Sequence, residues 1–309
     1  MAALYLLLGL AGLIAGAELA LRGALGLARH WHWPSWLTGL LLLALGTSLP
    51  ELFVSGFAAP SYPALGLGNV LGSNAFNVGL VFGSGLLVRG RRGLPSAGLS
   101  GPGAGALLAA SALALFVLGS GGRPPIWFGI LLLLAYGGVV RRALRNGRLD
   151  AEEREREIEP SPGLKAVLML VGFAVLAGAS RLFLAGALGL AGILGWSEGF
   201  AGYLIAAAGT SAPELVTSLL ALRKGHPEAI YGNVLGSNVF NLLVVGGTVC
   251  LAAGAEVPGE VVRPQLWANL AATALFFLLA PVGRNGRGTR PAGAALVAAW
   301  LLGAWLLQG

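Results

Sequence analysis

Two acidic side chains, Glu51 and Glu214, stand inside long apolar runs, and each is surrounded by the same oxygen-bearing residues. Residues 46–52 read Gly-Thr-Ser-Leu-Pro-Glu-Leu, and residues 209–215 read Gly-Thr-Ser-Ala-Pro-Glu-Leu. A second block follows each. Residues 68–77 read Gly-Asn-Val-Leu-Gly-Ser-Asn-Ala-Phe-Asn, and residues 232–241 repeat them at nine of ten positions. The offsets between copies are 163 and 164, so one residue has slipped. A carboxylate in hydrocarbon is costly, and its presence marks a functional site by default.

The residue types name the chemistry. At helical spacing Thr47, Glu51 and Ser55 share one face, and Thr210, Glu214 and Ser218 repeat that stripe. Asn69, Ser73 and Asn77 form another, repeated by Asn233, Ser237 and Asn241. The stripes hold oxygen donors and neither Cys nor His, which is the ligand set of a hard cation. Two Glu would neutralise one Ca2+. The backbone adds to this. Pro50 cannot donate to the carbonyl of Gly46, nor Pro213 to that of Gly209, so the helices are expected to kink or unwind at 46–50 and 209–213. Carbonyls freed at membrane depth need a partner, and a cation is one. The competing account is a salt bridge, for which Arg22 or Arg181 would have to supply the charge. For Asn69, Asn74, Asn233 and Asn238, hydrogen bonding between helices competes with a ligand role. Ser55 and Ser218 are expected at the periphery.

The elements that must position these groups are transmembrane helices. The chain has 309 residues, 56% hydrophobic and 11% charged, with mean hydropathy +0.79. That is a membrane composition. A span needs about 20 apolar residues. Ten runs qualify, at roughly 4–28, 35–57, 64–88, 104–119, 125–142, 163–189, 198–222, 228–253, 264–281 and 291–307. The fourth is short and Gly-rich. Sixteen of the 20 Lys and Arg then fall on alternate loops, while the other side holds Arg123 and Arg263. The positive-inside rule makes the basic side cytoplasmic and puts both termini outside. The net charge of +7 therefore reflects membrane orientation and not nucleic-acid binding. The first run lacks a basic region before it and ends across Glu18, so it reads as a retained span and not a cleaved leader.

Five spans per half, residues 1–142 and 163–309, force the two copies to run in opposite directions. The expected fold is thus an all-α integral membrane protein, ten helices in two inverted five-helix repeats, with a binding site near the midplane. Gly-Ala-Leu-Gly-Leu-Ala at 23–28 recurs at 186–191, so the first and sixth spans also correspond. These Gly/Ala-smooth stretches suggest helices that slide. Residues 143–162 form a charged cytoplasmic linker of alternating acids and arginines, too short for a folded domain. Small residues four apart, as in Gly68/Gly72 and Gly232/Gly236, would let helices approach closely. Cys250 is alone, which excludes an internal disulfide. His30 and His32 sit beside Trp31 and Trp33, a pattern suited to the membrane interface.

The doubled Gly-Thr-Ser-x-Pro-Glu block, each followed by Gly-Asn-x-x-Gly-Ser-Asn-x-x-Asn, resembles the paired alpha repeats of the Ca2+/cation antiporter superfamily, and in particular prokaryotic sodium/calcium exchangers. The resemblance covers both halves. It implies ion sites between the second, third, seventh and eighth helices. Glu51 and Glu214 would bind Ca2+ together with carbonyls of Thr47 and Thr210. Ser48, Ser73, Ser211 and Ser237 would serve flanking Na+ sites, with carbonyls at or near Ala44 and Ala207. Asn77 and Asn241 would complete the centre. Some prokaryotic members carry Asp at the position of Asn241, so this site has one negative charge fewer. That departure leaves the coupling ion open.

The expected function is exchange of Ca2+ for Na+ across the plasma membrane by alternating access, the ions competing for one site. A Ca2+/H+ antiporter would use the same scaffold with protons on the two Glu. A cation channel is the reading from another class. An enzyme is not expected, since the repeats contain no nucleophile–base pair and no phosphate loop. No cofactor and no obligatory protein partner is expected beyond the transported ions and the lipid bilayer.

Overall fold

The structure, a computed structural model, describes residues 1–30, 44–92, 94, 102–147, 162–223, 228–284 and 289–307. Among the described residues the regular elements are helices, joined by turns and short irregular connections, with one isolated antiparallel bridge, Gly122 to Val257. The helices are α1 (Ala2–His30), α2 (44–58, broken at Ser48), α3 (Pro63–Arg89), α4 (Pro102–Leu118), α5 (Ile126–Gly147), α6 (Pro162–Leu194), α7 (198–223, broken at Ser211), α8 (228–252), α9 (Gly259–Arg284) and α10 (Thr289–Leu306). The expected second run begins at 35, and its first residues lie outside the described ones, as do Trp31, His32, Trp33 and residues 148–161 of the linker. Among the described residues five helices are long and apolar enough to cross a membrane: Ala2–Ala20, Pro63–Arg89, Pro162–Leu194, Ile230–Ala252 and Gly259–Val282. The breaks at Ser48 and Ser211 divide α2 and α7, so neither offers one uninterrupted apolar helix.

α3 and α8 form the centre, each 83% buried over its most apolar window. Their sequences account for this: they carry amides and hydroxyls on one face and glycines on another, and lipid suits neither. α3 packs on α2, α7 and α9, and α8 packs on α2, α3 and α5. Aromatic rings fill the space below the polar centre. Phe82 and Tyr231 flank Phe276, with ring centroids at 4.9 and 5.1 Å. The outer surface exposes large apolar side chains such as Leu7, Phe116, Leu134, Ile193 and Leu278. That is the surface expected of a protein whose solvent is lipid.

Glycine sets how closely the central helices approach. A Cβ on Gly68 would fall on the carbonyl oxygen of Gly199, one on Gly72 on that of Tyr203, and one on Gly202 on that of Leu65. The backbone of α7 therefore lies directly against α3, which brings the two conserved-length blocks of opposite halves to one place. The Gly/Ala stretches of α1 and α6 each meet the other helix. Gly23 and Gly26 face Met169 and Lys165, while Gly186 and Gly189 face Leu6 and Ala2. The glycines of these stretches pack α1 against α6.

The loops gather at two ends. Gly122 and Val257 exchange backbone hydrogen bonds of 2.9 and 3.0 Å. Beside them Arg123 Nε donates to Ala253 O at 3.1 Å, and Arg263 Nε to Gly119 O at 2.8 Å. Each arginine thus satisfies carbonyls at a helix C-terminus, a favourable place for a cation. Elsewhere Gly90, at φ 55°, packs under the side chain of Arg290.

Replacing Gly72 by Ala should lower the thermal midpoint of detergent-purified protein, by an overpacking cost of about 1–3 kcal/mol. Gly178→Ala, where an added Cβ meets nothing within 4 Å, is the matched control and should leave the midpoint nearly unchanged.

Candidate cation-binding site

The two Pro-Glu blocks break their helices at the expected places. Ser48 has φ −92° and ψ 8°, and Ser211 has φ −88° and ψ 6°. Each serine follows a helical stretch that ends at Thr47 or Thr210, and precedes a second one that begins Leu49-Pro50 or Ala212-Pro213. The break is confined to one residue because the prolines stand in the first turn of the new helix, where a missing N–H is tolerated. Glu51 and Glu214 follow at once, in that same first turn. Helix N-termini favour negative charge. The broken helix thus supports the carboxylate that it carries.

Ten residues were expected to bind cations, and all ten are buried: Thr47, Ser48, Glu51, Ser73, Asn77, Thr210, Ser211, Glu214, Ser237 and Asn241. The connections between them run mainly across the halves. Ser48 Oγ donates to Glu214 Oε1 at 3.1 Å, and Ser211 Oγ donates to Glu51 Oε1 at 2.7 Å. Ser73 Oγ also donates to Glu51 Oε1, at 3.4 Å. Thr47 Oγ1 donates to Asn233 Oδ1 at 3.5 Å, and Thr210 Oγ1 to Asn69 Oδ1 at 3.2 Å. A second layer fixes the amides. Asn69 Nδ2 donates to Ser55 Oγ and Asn233 Nδ2 to Ser218 Oγ, both at 2.9 Å. Ser55 and Ser218 therefore lie behind the site, where they orient the asparagines that hold the threonines.

Both carboxylates have no solvent exposure, and each leaves one oxygen, Oε2, without a hydrogen-bond partner. The salt-bridge account fails on position. Arg22 pairs with Glu18 on its own helix at 2.6 Å, with both side chains exposed. The Arg181 guanidinium lies over the Phe57 ring at 4.8 Å. Buried charge without a counter-charge is strongly unfavourable. Asn77 Oδ1, Asn241 Oδ1 and Ser237 Oγ are likewise buried and unpartnered. The open atoms around the two Glu are almost all oxygens, the donor set that hard cations prefer. Among the described residues no three His, Cys, Asp or Glu cluster as a transition-metal site would require.

A match to the family model for sodium/calcium exchanger proteins covers residues 1–144 and 164–308. The chain belongs to the sodium/calcium exchanger family. An uncharacterized membrane protein of Methanocaldococcus jannaschii is 32% identical, over 92% of this chain and 91% of that one. The inner membrane protein YrbG of Escherichia coli is 32% identical over 84% and 82%. The sodium/calcium exchanger MaX1 of Methanosarcina acetivorans is 28% identical over 79% and 81%. Among solved structures, the sodium-calcium exchanger NCX_Mj soaked with Na+ and Sr2+ superposes with TM-score 0.68 at 28% identity, covering 97% of this chain and 96% of that one. Family membership makes the protein a multi-pass membrane transporter of cations.

Sequence reasoning did not foresee three π-helical turns. They occupy Asn77–Phe82, Gly202–Ala206 and Asn241–Val245. Two of them begin on Asn77 and Asn241, which are counterparts in the repeats. π-turns are frequent at functional sites. Nor did the sequence show that Asn74 and Asn238 would bond each other's backbone, Asn74 Nδ2 to Asn238 O at 3.3 Å and Asn238 Nδ2 to Asn74 O at 3.2 Å. Their repetition at the same offset was the available signal.

Ca2+ should stabilise the purified protein, because a ligand that binds the folded state adds RT ln(1 + [L]/Kd), about 2.7 kcal/mol at 100 times Kd. Glu51→Gln and Glu214→Gln should abolish the Ca2+-dependent rise in melting temperature. Glu18→Gln should preserve it, since Glu18 pairs at the surface.

Proposed function

We propose that this chain exports Ca2+ in exchange for Na+ by alternating access, both ions competing for one site built on Glu51 and Glu214. The observation that carries the reading is the pair of fully buried carboxylates, each held through one oxygen by a serine of the opposite half and each with its other oxygen open. Such a pair needs positive charge in every state of the cycle. Ca2+ supplies it at once, and it takes six to eight oxygens at about 2.3–2.6 Å. The two carboxylates, the carbonyls of Thr47 and Thr210, and Asn77 and Asn241 would supply them. Na+ would use the same carboxylates with Ser48, Ser73, Ser211 and Ser237 and carbonyls near Ala44 and Ala207. Shared carboxylates make the two loads mutually exclusive, and that exclusion is the basis of exchange.

In this reading the ten helices span a plasma membrane as two inverted halves, residues 1–142 and 163–309, joined by a cytoplasmic linker at 143–162, with both termini outside. The gathering of loops supports it. The α4–α5 and α8–α9 connections, assigned to one side by alternation, meet at Gly122 and Val257, while Gly90 and Arg290 of two connections assigned to the other side meet elsewhere. The exchange of hydrogen bonds between counterpart residues supports a two-fold relation of the halves.

The test is radioactive Ca2+ uptake into proteoliposomes preloaded with Na+ or with acid. Uptake is expected with the outward Na+ gradient, and both Glu→Gln variants should lose it. Uptake driven by protons alone would instead make the chain a Ca2+/H+ antiporter. Ca2+ flux that needs neither gradient would make it a channel.

A further inference from the structure

Many hydrogen bonds around the site, across the halves and within each, come in matched pairs. Counterpart residues lie 163 or 164 apart. The bond of Ser211 to Glu51 matches that of Ser48 to Glu214, and that of Asn69 to Ser55 matches that of Asn233 to Ser218. The bond of Asn74 to the Asn238 carbonyl matches its own reverse. Two unmatched bonds concern Ser73 and Asn77. Ser73 Oγ donates to Glu51 Oε1 at 3.4 Å, but its counterpart Ser237 Oγ has no partner. Asn77 Nδ2 donates to Asn238 Oδ1 at 3.0 Å. The matching bond would run from Asn241 Nδ2 to Asn74 Oδ1. It is absent, and both atoms are buried without any partner.

The missing donors, Ser237 and Asn241, are four residues apart on α8 and share its face. The two gaps are neighbours on that stripe, one and two turns beyond Asn233, which keeps its bond to Ser218. A buried donor and a buried acceptor left apart carry a desolvation cost that their bond would remove. Both halves keep the complete set of residues for that bond, yet only one half makes it.

We propose that Asn74 and Asn238 are positioning residues that hold the ion-facing amides Asn241 and Asn77 by turns. In the conformer described, Asn238 holds the Asn77 amide, which turns Asn77 Oδ1 free to face a cation. In the opposite-facing conformer Asn74 Oδ1 receives Asn241 Nδ2, Ser237 closes onto Glu214, and the bonds of Asn77 and Ser73 open. The reciprocal amide–carbonyl bonds of Asn74 and Asn238 belong to both conformers and form the fixed point between α3 and α8. Each access direction thus has its own set of open oxygens. The inference rests on the exchange reading above, which needs two such conformers.

Two substitutions separate this role from a merely structural one. Asn74→Ala and Asn238→Ala each remove one of the two reciprocal bonds, so a structural role predicts equal effects. They differ in which amide loses its acceptor. Half-saturating Ca2+ would be measured from each membrane face in proteoliposomes of defined orientation. The ratio of the two values should shift in opposite directions in the two variants, by about 2- to 10-fold, the range for one net hydrogen bond. Shifts in the same direction, or none, overturn the proposal. Flux in the unaltered chain reports separately on exchange, since its absence under both gradients removes that reading alone. Should either variant fail to fold, an experimental structure of the unaltered chain facing the other way decides. Asn241 Nδ2 is expected within hydrogen-bond distance of Asn74 Oδ1, with Asn77 released. Asn77 still bound to Asn238, with Asn241 still apart, overturns the proposal.

Discussion

Two buried carboxylates without a cationic partner govern this structure. Glu51 and Glu214 are sealed from solvent, and the arginines of the neighbouring spans point elsewhere. Hydrogen bonds from serines satisfy one oxygen of each and cannot supply the missing charge. In the proposed exchange reading, a cation supplies that charge. A requirement that would destabilise an ordinary core would there be the reason to bind cations, and it would couple any two ions that need the same oxygens.

The remaining architecture keeps those oxygens in place. Each carboxylate is tied to the half that does not contain it, so the halves cannot separate without exposing charge to apolar surroundings. Behind the first layer, Ser55 and Ser218 orient Asn69 and Asn233, which in turn accept bonds from the threonines of the opposite half. The glycines of α3 allow this density. With any side chain at Gly68 or Gly72, the backbone of α7 would stand off, and the cross-half bonds of about 3 Å would be lost. The bonding is also unequal between the repeated blocks. Ser237 and Asn241 of α8 lack the side-chain partners that Ser73 and Asn77 of α3 engage.

The sequence by itself determined a great deal. The doubled blocks named the polar residues that the fold buries together, and the prolines located the breaks, because a missing N–H acts on the turn in which it stands. Apolar run lengths placed the helices, since the periodicity and the thickness of hydrocarbon are local constraints. Tertiary structure alone decided the pairing. Nothing in the spacing of Thr47, Ser48 and Glu51 says that Ser48 serves Glu214 and not its neighbour Glu51, because side chains some 160 residues apart meet only after both helices have broken and packed. The π-turns at Asn77 and Asn241 were equally unreadable, for α- and π-turns of the same residues differ by one hydrogen-bond register that packing selects. The same holds for the smooth faces of α1 and α6, which composition showed but only packing turned toward each other. Two nearly identical sequence blocks imply identical halves. The folded chain departs from that identity at Ser237 and Asn241, whose polar atoms find no partner where those of Ser73 and Asn77 do, because packing between the helices and not the local sequence selects the bonds.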